Sequence, residues 1–142
     1  MGTFTPIPEA SAPARPHDEA SGWVVFAGLL VLMAGVLSLV SGIAAIGNAN
    51  FFVNDQKFVI SNLNTWGWIH AGLGVVLCAT AIGVFARNAI AVWVAIVFVT
   101  LNAVAQMLFI PASPWWSISV FAIDILALYG LIVHGFKERA YS

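Results

Sequence analysis

The sequence contains few charged residues and a single cysteine. Only 8% of its 142 residues are charged, five of them basic and six acidic, whereas 61% are hydrophobic. Because a soluble domain carries about 25% charged residues, so few charges cannot coat a water-exposed surface, and lipid must be the solvent. A net charge of −1 excludes the clustered basic face that nucleic-acid binding needs. The single Cys78 excludes an internal disulfide.

The motifs of enzymes and of metal or haem proteins are also missing. The sequence contains no G-x-S-x-G elbow and no phosphate-binding loop. Its three histidines, His17, His70 and His134, fall in different parts of the chain. No two of them are therefore placed to hold haem, and none has a second ligand nearby for zinc. We expect no enzyme activity, no catalytic residues, no metal and no cofactor.

Four apolar runs are long enough to cross a membrane. About 20 residues at 1.5 Å each span the roughly 30 Å of hydrocarbon in a bilayer, whereas a transmembrane β-barrel would need about eight alternating segments or more. The sequence therefore predicts an all-α protein, an integral membrane four-helix bundle. Its helices are expected at about residues 23–46, 66–86, 89–110 and 115–135.

The segments outside these runs differ in composition and define the domain organisation. Residues 1–22 are rich in Pro, Ala and Ser, which predicts a disordered N-terminal tail. The transmembrane domain covers residues 23–136 and includes a long amphipathic outer loop, residues 47–65, whose conformation the sequence leaves open. Residues 137–142 form a short C-terminal tail.

The distribution of cations predicts the orientation. In a four-span chain Arg15, Arg87, Lys137 and Arg139 fall on one side of the membrane, and only Lys57 falls on the other. Cytoplasmic segments carry the excess of Lys and Arg. We therefore expect both termini in the cytoplasm, an antiparallel up-down topology, and a multi-pass protein of the plasma (inner) membrane.

Small residues at intervals of four predict where helices pack closely. The first span carries Ala34, Ser38 and Gly42 in this spacing, and the second carries Ala79 and Gly83. Such stripes let helix backbones approach one another. They predict packing of the first two helices on each other or on a partner subunit.

Polar side chains occur inside the predicted spans. Counted by helix rise, Asp124 and Asn102 reach nearly the same depth near mid-membrane, and Gln106 and His70 share a second depth nearer the outside. An ionised carboxylate there costs on the order of 3 kcal/mol, and no span contains Lys or Arg. We therefore expect Asp124 to carry a proton and donate it to the side-chain oxygen of Asn102.

Several motifs together are similar to a known family. The runs GWVVFAGLL, WGWIH and PASPWWS, with an Asp in the fourth span, resemble a group of short four-helix membrane proteins from actinomycetes, classed as a domain of unknown function. The resemblance covers roughly residues 20–135. It implies a compact four-span protein and no particular activity. Within the family's pattern fall Trp68, His70, Pro114, Trp115 and Asp124.

Three functions stay open. The first is a structural or accessory subunit of a larger membrane complex, in which polar pairs hold the helices in register. The second is a small-molecule binder, of quinone or lipid, in the outer half of the bundle. The third is a proton or ion conduit, although no polar chain continues toward the inner side. The candidate polar layer or ligand site comprises Trp68, His70, Asn102, Gln106, Trp115 and Asp124.

The expected partners follow from these three functions. They are bilayer lipid, other membrane subunits or further copies of the chain, and a lipophilic small molecule for the second function. Nucleic acid is not among them.

Overall fold

The chain forms four α-helices in the computed structural model, which describes residues 2–3, 16–47, 63–111 and 114–136. No strand occurs in these described ranges, and the predicted all-α fold is confirmed. In chain order the helices are α1, Pro16–Gly47; α2, Leu63–Phe85; α3, Ala89–Phe109; and α4, Pro114–His134.

Each helix contains a stretch that is long and apolar enough to cross a membrane. These stretches are 21 to 27 residues long, with mean hydropathy between 1.9 and 2.5. Large apolar side chains point outward from every helix, as Leu29, Ile82, Val97 and Ile125 do. An outer surface of this kind suits lipid and not water. The fold therefore fits a small multi-pass membrane protein.

Helix α1 begins at Pro16, not at residue 23 where the apolar run begins. The last part of the predicted disordered tail is thus helical. Proline suits the first turn of a helix because its φ is already fixed and its missing N–H is not needed there. Residues 1 and 4–15 of the predicted tail, residues 48–62 of the predicted outer loop and residues 137–142 of the C-terminal tail lie outside the described residues.

Helices α1 and α2 approach so closely that glycine is required at their interface. A Cβ added to Gly42 would overlap the backbone of Ala71 and Gly67, and one added to Gly35 would stand 2.9 Å from the backbone nitrogen of Cys78. Backbone atoms cannot move aside as a flexible side chain can. The small residues therefore set the distance between these two helices.

The other small residues predicted to pack helices have different surroundings. Ala34 and Ser38 are fully buried in the bundle, and Ser38 is turned toward α3, to which it hydrogen-bonds. Gly83 faces α3 as well, since a Cβ there would meet the side chain of Ala91. Ala79 is exposed on the outer surface of the four helices. The stripe of small residues on α1 thus contributes to two interfaces, through Gly42 to that with α2 and through Ser38 to that with α3.

A tight turn joins α2 to α3. Arg87 occupies the left-handed region with φ of 56°, and the Asn88 backbone N–H donates to the carbonyl of Gly83. Asn88 also caps α3, because its side-chain oxygen accepts from the Ile90 N–H. The Arg87 guanidinium donates to the hydroxyl of Ser21, which ties the turn to α1.

The interior of the bundle is apolar at one end and polar at the other. We call the end that carries Arg87 and Asn88 the α2–α3 end, and the end that carries Ile110 and Pro114 the α3–α4 end. Aliphatic and alanine side chains fill the half nearer the α2–α3 end. The members of this apolar half are Val24, Ala27, Leu30, Val31, Leu77, Ala81, Val84, Val92, Ala95, Val99, Ala127 and Leu131.

Candidate functional site

A chain of hydrogen bonds crosses the middle of the bundle and joins three helices. The Ser38 hydroxyl on α1 donates to Oδ1 of Asn102 on α3 over 2.8 Å. The Asn102 amide nitrogen donates in turn to Oδ2 of Asp124 on α4, also over 2.8 Å. All three side chains are completely buried. Each bond is worth about 1 kcal/mol in a membrane interior, and together they fix the register of α1, α3 and α4.

The direction of this chain differs from the sequence-based expectation. Asp124 and Asn102 are paired, but Asn102 is the donor and Asp124 the acceptor. The oxygen of Asn102 that was expected to accept from Asp124 accepts from Ser38. The hydroxyl thereby orients the amide, and the amide presents its N–H to the carboxyl group. Residue spacing revealed the pair but not the third member that orients it.

Asp124 retains one oxygen without a partner. Its Oδ1 is buried and has no hydrogen bond within the part of the chain that the structure describes. It is also the only acidic residue in the four spans, Ser21–Gly47, Asn64–Phe85, Ala89–Phe109 and Pro114–His134. None of these spans contains Lys or Arg. No lysine or arginine within the spans can therefore neutralise the carboxylate in a salt bridge.

Three further polar side chains are buried between this chain and the α3–α4 end. They are His70 on α2, Gln106 on α3 and Ser117 on α4, each no more than 1% exposed; we call them the polar layer. Both ring nitrogens of His70, both polar atoms of Gln106 and the Ser117 hydroxyl lack a hydrogen-bond partner among the described residues. Buried polar atoms are nearly always paired, so five such atoms together make the layer a candidate site for a polar group.

Aromatic rings lie beside His70 in the polar layer. The ring of Phe109 meets that of His70 edge to face, with centroids 5.2 Å apart, and the ring of Trp66 lies 6.4 Å from it. Trp66 is itself buried, and its indole N–H has no partner in the described structure. On the α1–α4 side the indole N–H of Trp116 donates to the Ser41 hydroxyl over 2.6 Å. Two aromatic rings thus flank the histidine of the layer.

The polar layer and the hydrogen-bond chain lie on the same helix faces. Gln106 follows Asn102 by four residues on α3, and Ser117 precedes Asp124 by seven on α4. Residues at these spacings are stacked about one and two turns apart, on the order of 5 and 10 Å. A polar column therefore runs from the α3–α4 end to Asp124, where the apolar half begins.

The two tryptophans assigned to the site from the sequence lie outside it. Trp68 is 65% exposed and Trp115 is 87% exposed, both on the surface of the bundle. Of their neighbours, Trp66 is buried, whereas Trp116 is 36% exposed but turns its indole N–H to Ser41. Trp66 precedes His70 by four residues and so shares its helix face, whereas a spacing of two points to another side. The sequence interpretation had counted depth along the helix and not its rotation.

Sequence reasoning missed Ser117, Ser41 and Trp66 as members of the site. The spacing of Ser117 to Asp124 and of Trp66 to His70 could have revealed two of them. Serine is easily overlooked in a membrane span, because its hydroxyl can satisfy itself on the carbonyl four residues earlier. Ser119 does this with Trp115, whereas Ser117 makes no such bond.

The donors of the layer suit an organic group better than a metal ion. Among the described residues no three His, Cys, Asp or Glu side chains are grouped to hold a metal. His134 stacks on Trp23 at 4.6 Å near the α2–α3 end, and so does not join His70. Imidazole, amide, hydroxyl and indole groups offer hydrogen bonds of both directions within an aromatic wall.

Four apolar helices that enclose a column of buried polar side chains define a small multi-pass membrane protein. The chain belongs to the family Domain of unknown function (DUF7144), whose profile matches residues 23–136. The predicted resemblance to an uncharacterised family is confirmed. No curated protein and no solved structure matches the chain.

Proposed function

We propose that this protein binds a small lipophilic molecule, whose polar head sits in the polar layer. The observation that carries the proposal is the group of five unpartnered polar atoms on His70, Gln106 and Ser117. Leaving a buried donor or acceptor unpaired costs about 1 to 3 kcal/mol. A ligand head that pairs with several of them recovers much of that free energy as binding energy.

The chemistry of the layer specifies the kind of head group. Neutral histidine, glutamine and serine each donate and accept, so the ligand head should carry both donors and acceptors. The aromatic walls at Trp66 and Phe109 suit a flat or compact apolar body beside that head. Quinones and lipids, the classes expected from the sequence, meet this description in part.

A proton or ion conduit receives less support. A conduit needs polar groups or water along its whole length. The column ends at Asp124, and Val99, Ala127 and Leu131 follow on the same helix faces, buried in the apolar half. A column of buried polar side chains that stops at mid-bundle supports binding at one end better than conduction across the membrane.

The role of an accessory subunit is a second candidate, favoured by a groove on the outer surface. The groove lies between α2 and α3, has a volume of about 430 Å³, and includes Ala79, Gly83 and Ala91 in its floor. Small residues at these positions would let a transmembrane helix of a partner subunit approach closely. Co-purification of such a partner, and its loss in Ala79→Leu, would support this role.

We further propose an antiparallel up-down bundle with both termini in the cytoplasm of an actinomycete cell and with the protein in its plasma membrane. The order of close approaches supports the topology, since Gly28 meets Phe85 at one end of α1 and Gly42 meets Ala71 toward the other. The position of Arg87 at the α2–α3 end supports the orientation. The polar layer then lies in the outer leaflet half.

The proposal is tested by gentle extraction of the tagged protein, followed by mass spectrometry of every small molecule that remains bound. We expect one lipophilic compound in stoichiometric amount with the wild type. Gln106→Leu should lose it, because the change removes two polar atoms of the layer. Met107→Leu is the matched control, since Met107 is the adjacent residue and is exposed. Equal small-molecule content in all three proteins would contradict the proposal.

A further inference from the structure

We infer that the ligand of the polar layer is a small organic cation, which displaces the proton of Asp124 and pairs with its carboxylate. This inference rests on the proposed function and specifies its ligand. It is based on the position of Asp124, which lies where the polar column ends and has no lysine or arginine partner in the spans.

The charges that face the column allow a cation and disfavour an anion. On α1 and α3 the spans present no ionisable side chain to it. On α2 the column meets His70, while Cys78 is turned toward Gly35 of α1. On α4, Asp124 is buried in it, and Tyr129 and His134 lie near the α2–α3 end. A carboxylate without a basic partner attracts positive charge and repels negative charge.

The carboxyl group is held ready for such a partner. Asn102 donates to Oδ2 of Asp124 and is itself fixed by Ser38, so the orientation of the carboxyl group does not depend on the ligand. The other oxygen, Oδ1, has no partner within the described helices. An ammonium group that reached it would form a charge-assisted hydrogen bond or a close ion pair.

The surroundings of the column suit a cation that has lost its water. Aromatic rings attract cations at their faces, and the rings of Trp66 and Phe109 flank His70. His70, Gln106 and Ser117 supply oxygen or nitrogen lone pairs along the way. A quinone could accept a hydrogen bond from the protonated acid, but it would not displace the proton or pair with the carboxylate.

Exchange of a proton for the cation keeps the interior neutral. With Asp124 protonated, the buried site carries no charge. When the cation binds, the carboxyl O–H bond breaks, the proton leaves to water, and carboxylate and cation form a neutral pair. One proton is released for each cation bound, with no net change of charge in the membrane interior, where net charge is costly. The linkage requires cation affinity to rise with pH while Asp124 is protonated.

The test compares two probes of the same shape in the purified, detergent-solubilised full chain. Benzyltrimethylammonium is a permanent cation, and 2,2-dimethylpropylbenzene is its neutral isostere with carbon in place of nitrogen. We expect the cation to bind at least tenfold more tightly than the isostere. Its affinity should increase up to tenfold per pH unit until Asp124 is ionised, and then level off. Calorimetry in buffers of different ionisation enthalpy should record one proton released per cation.

Two variants and one spectroscopic signal assign the effect to Asp124. Asp124→Asn should weaken cation binding at least tenfold and abolish proton release, while its amide can still pair with Asn102. Asp18→Asn is the matched control, because it removes the same charge before the first span, Ser21–Gly47. In the wild type, the infrared band of a protonated carboxyl group should disappear as the cation binds. The infrared measurement and the measurement of proton release use the wild-type protein, so they do not depend on whether a variant folds.

The possible failures are distinguishable. If the neutral isostere or a short-chain quinone binds as tightly as the cation, and no proton is released, the ligand class inferred here is wrong and the binding function stands. If no probe binds and Gln106→Leu has the same small-molecule content as the wild type, the proposed function itself is wrong.

Discussion

The close approach of α1 and α2 at Gly42 makes a quantitative prediction for the change Gly42→Ala. A Cβ at this position would lie 2.7 Å from the Cα of Ala71 and 2.7 Å from the carbonyl oxygen of Gly67. Ordinary van der Waals contact begins at 3.4 Å. Because the opposing atoms are backbone, the helices themselves must separate by at least 0.7 Å at this point.

The free-energy change combines two opposing effects. Overpacking costs about 1 to 3 kcal/mol, and we expect the upper part of that range because no side chain can yield. Alanine favours the helical state over glycine by about 1 kcal/mol. Gly42→Ala should therefore lower the free energy of unfolding by about 1 to 2 kcal/mol. The measurement is equilibrium unfolding in mixed micelles with increasing dodecyl sulfate, followed by far-ultraviolet circular dichroism.

Gly72→Ala is the matched control for this change. Gly72 lies on the same helix as Ala71, and a Cβ there would meet nothing within 4 Å. It should show the gain in helix propensity alone, so the two variants should differ by about 2 to 3 kcal/mol. If Gly42→Ala is as stable as Gly72→Ala, the two backbones do not approach as closely as described and the reasoning is refuted.

Two further changes test the polar interior. Asn102→Leu should reduce the free energy of unfolding by about 1 to 3 kcal/mol, because it leaves Ser38 and Asp124 without their partner. Unfolding in dodecyl sulfate measures this change. Stability equal to that of the wild type would show that the hydrogen-bond chain contributes nothing. Trp116→Phe should lower the free energy of unfolding by about 1 kcal/mol, because it loses the bond to Ser41. Trp115→Phe, at a surface position, should be neutral. Equal effects in the two variants would argue against the bond between Trp116 and Ser41.

The spans could be predicted from the sequence because lipid imposes a simple condition. A helix that must cross hydrocarbon needs about 20 apolar residues, and four such runs are visible. The helix ends were less predictable. Pro16 begins α1 well before the apolar run does, since a helix ends where its hydrogen bonds and caps end and not where lipid ends. Hydropathy indicates which residues lie in lipid, whereas the ends of a helix depend on its backbone hydrogen bonds and caps.

The candidate site was predicted in depth but not in rotation. Helix rise alone placed Asp124 beside Asn102, and the structure joins them. Trp68 and Trp115 were also included in the candidate site, although both point to the surface. Depth needs only residue number and span boundary. The face of a helix that looks inward is ambiguous when all its faces are apolar, and here the buried face is marked by small and polar residues instead.

The hydrogen-bond chain marks the limit of what spacing can reveal. Asparagine can donate and accept, so Asp124 and Asn102 alone permit either direction of their bond. In the structure the Ser38 hydroxyl donates to the amide oxygen, and the amide nitrogen donates to the carboxyl group. Ser38 stands 64 residues from Asn102 in the chain and was predicted to be a packing residue. Counting along two helices therefore finds the pair, whereas only the fold shows that a side chain of a third helix completes the chain.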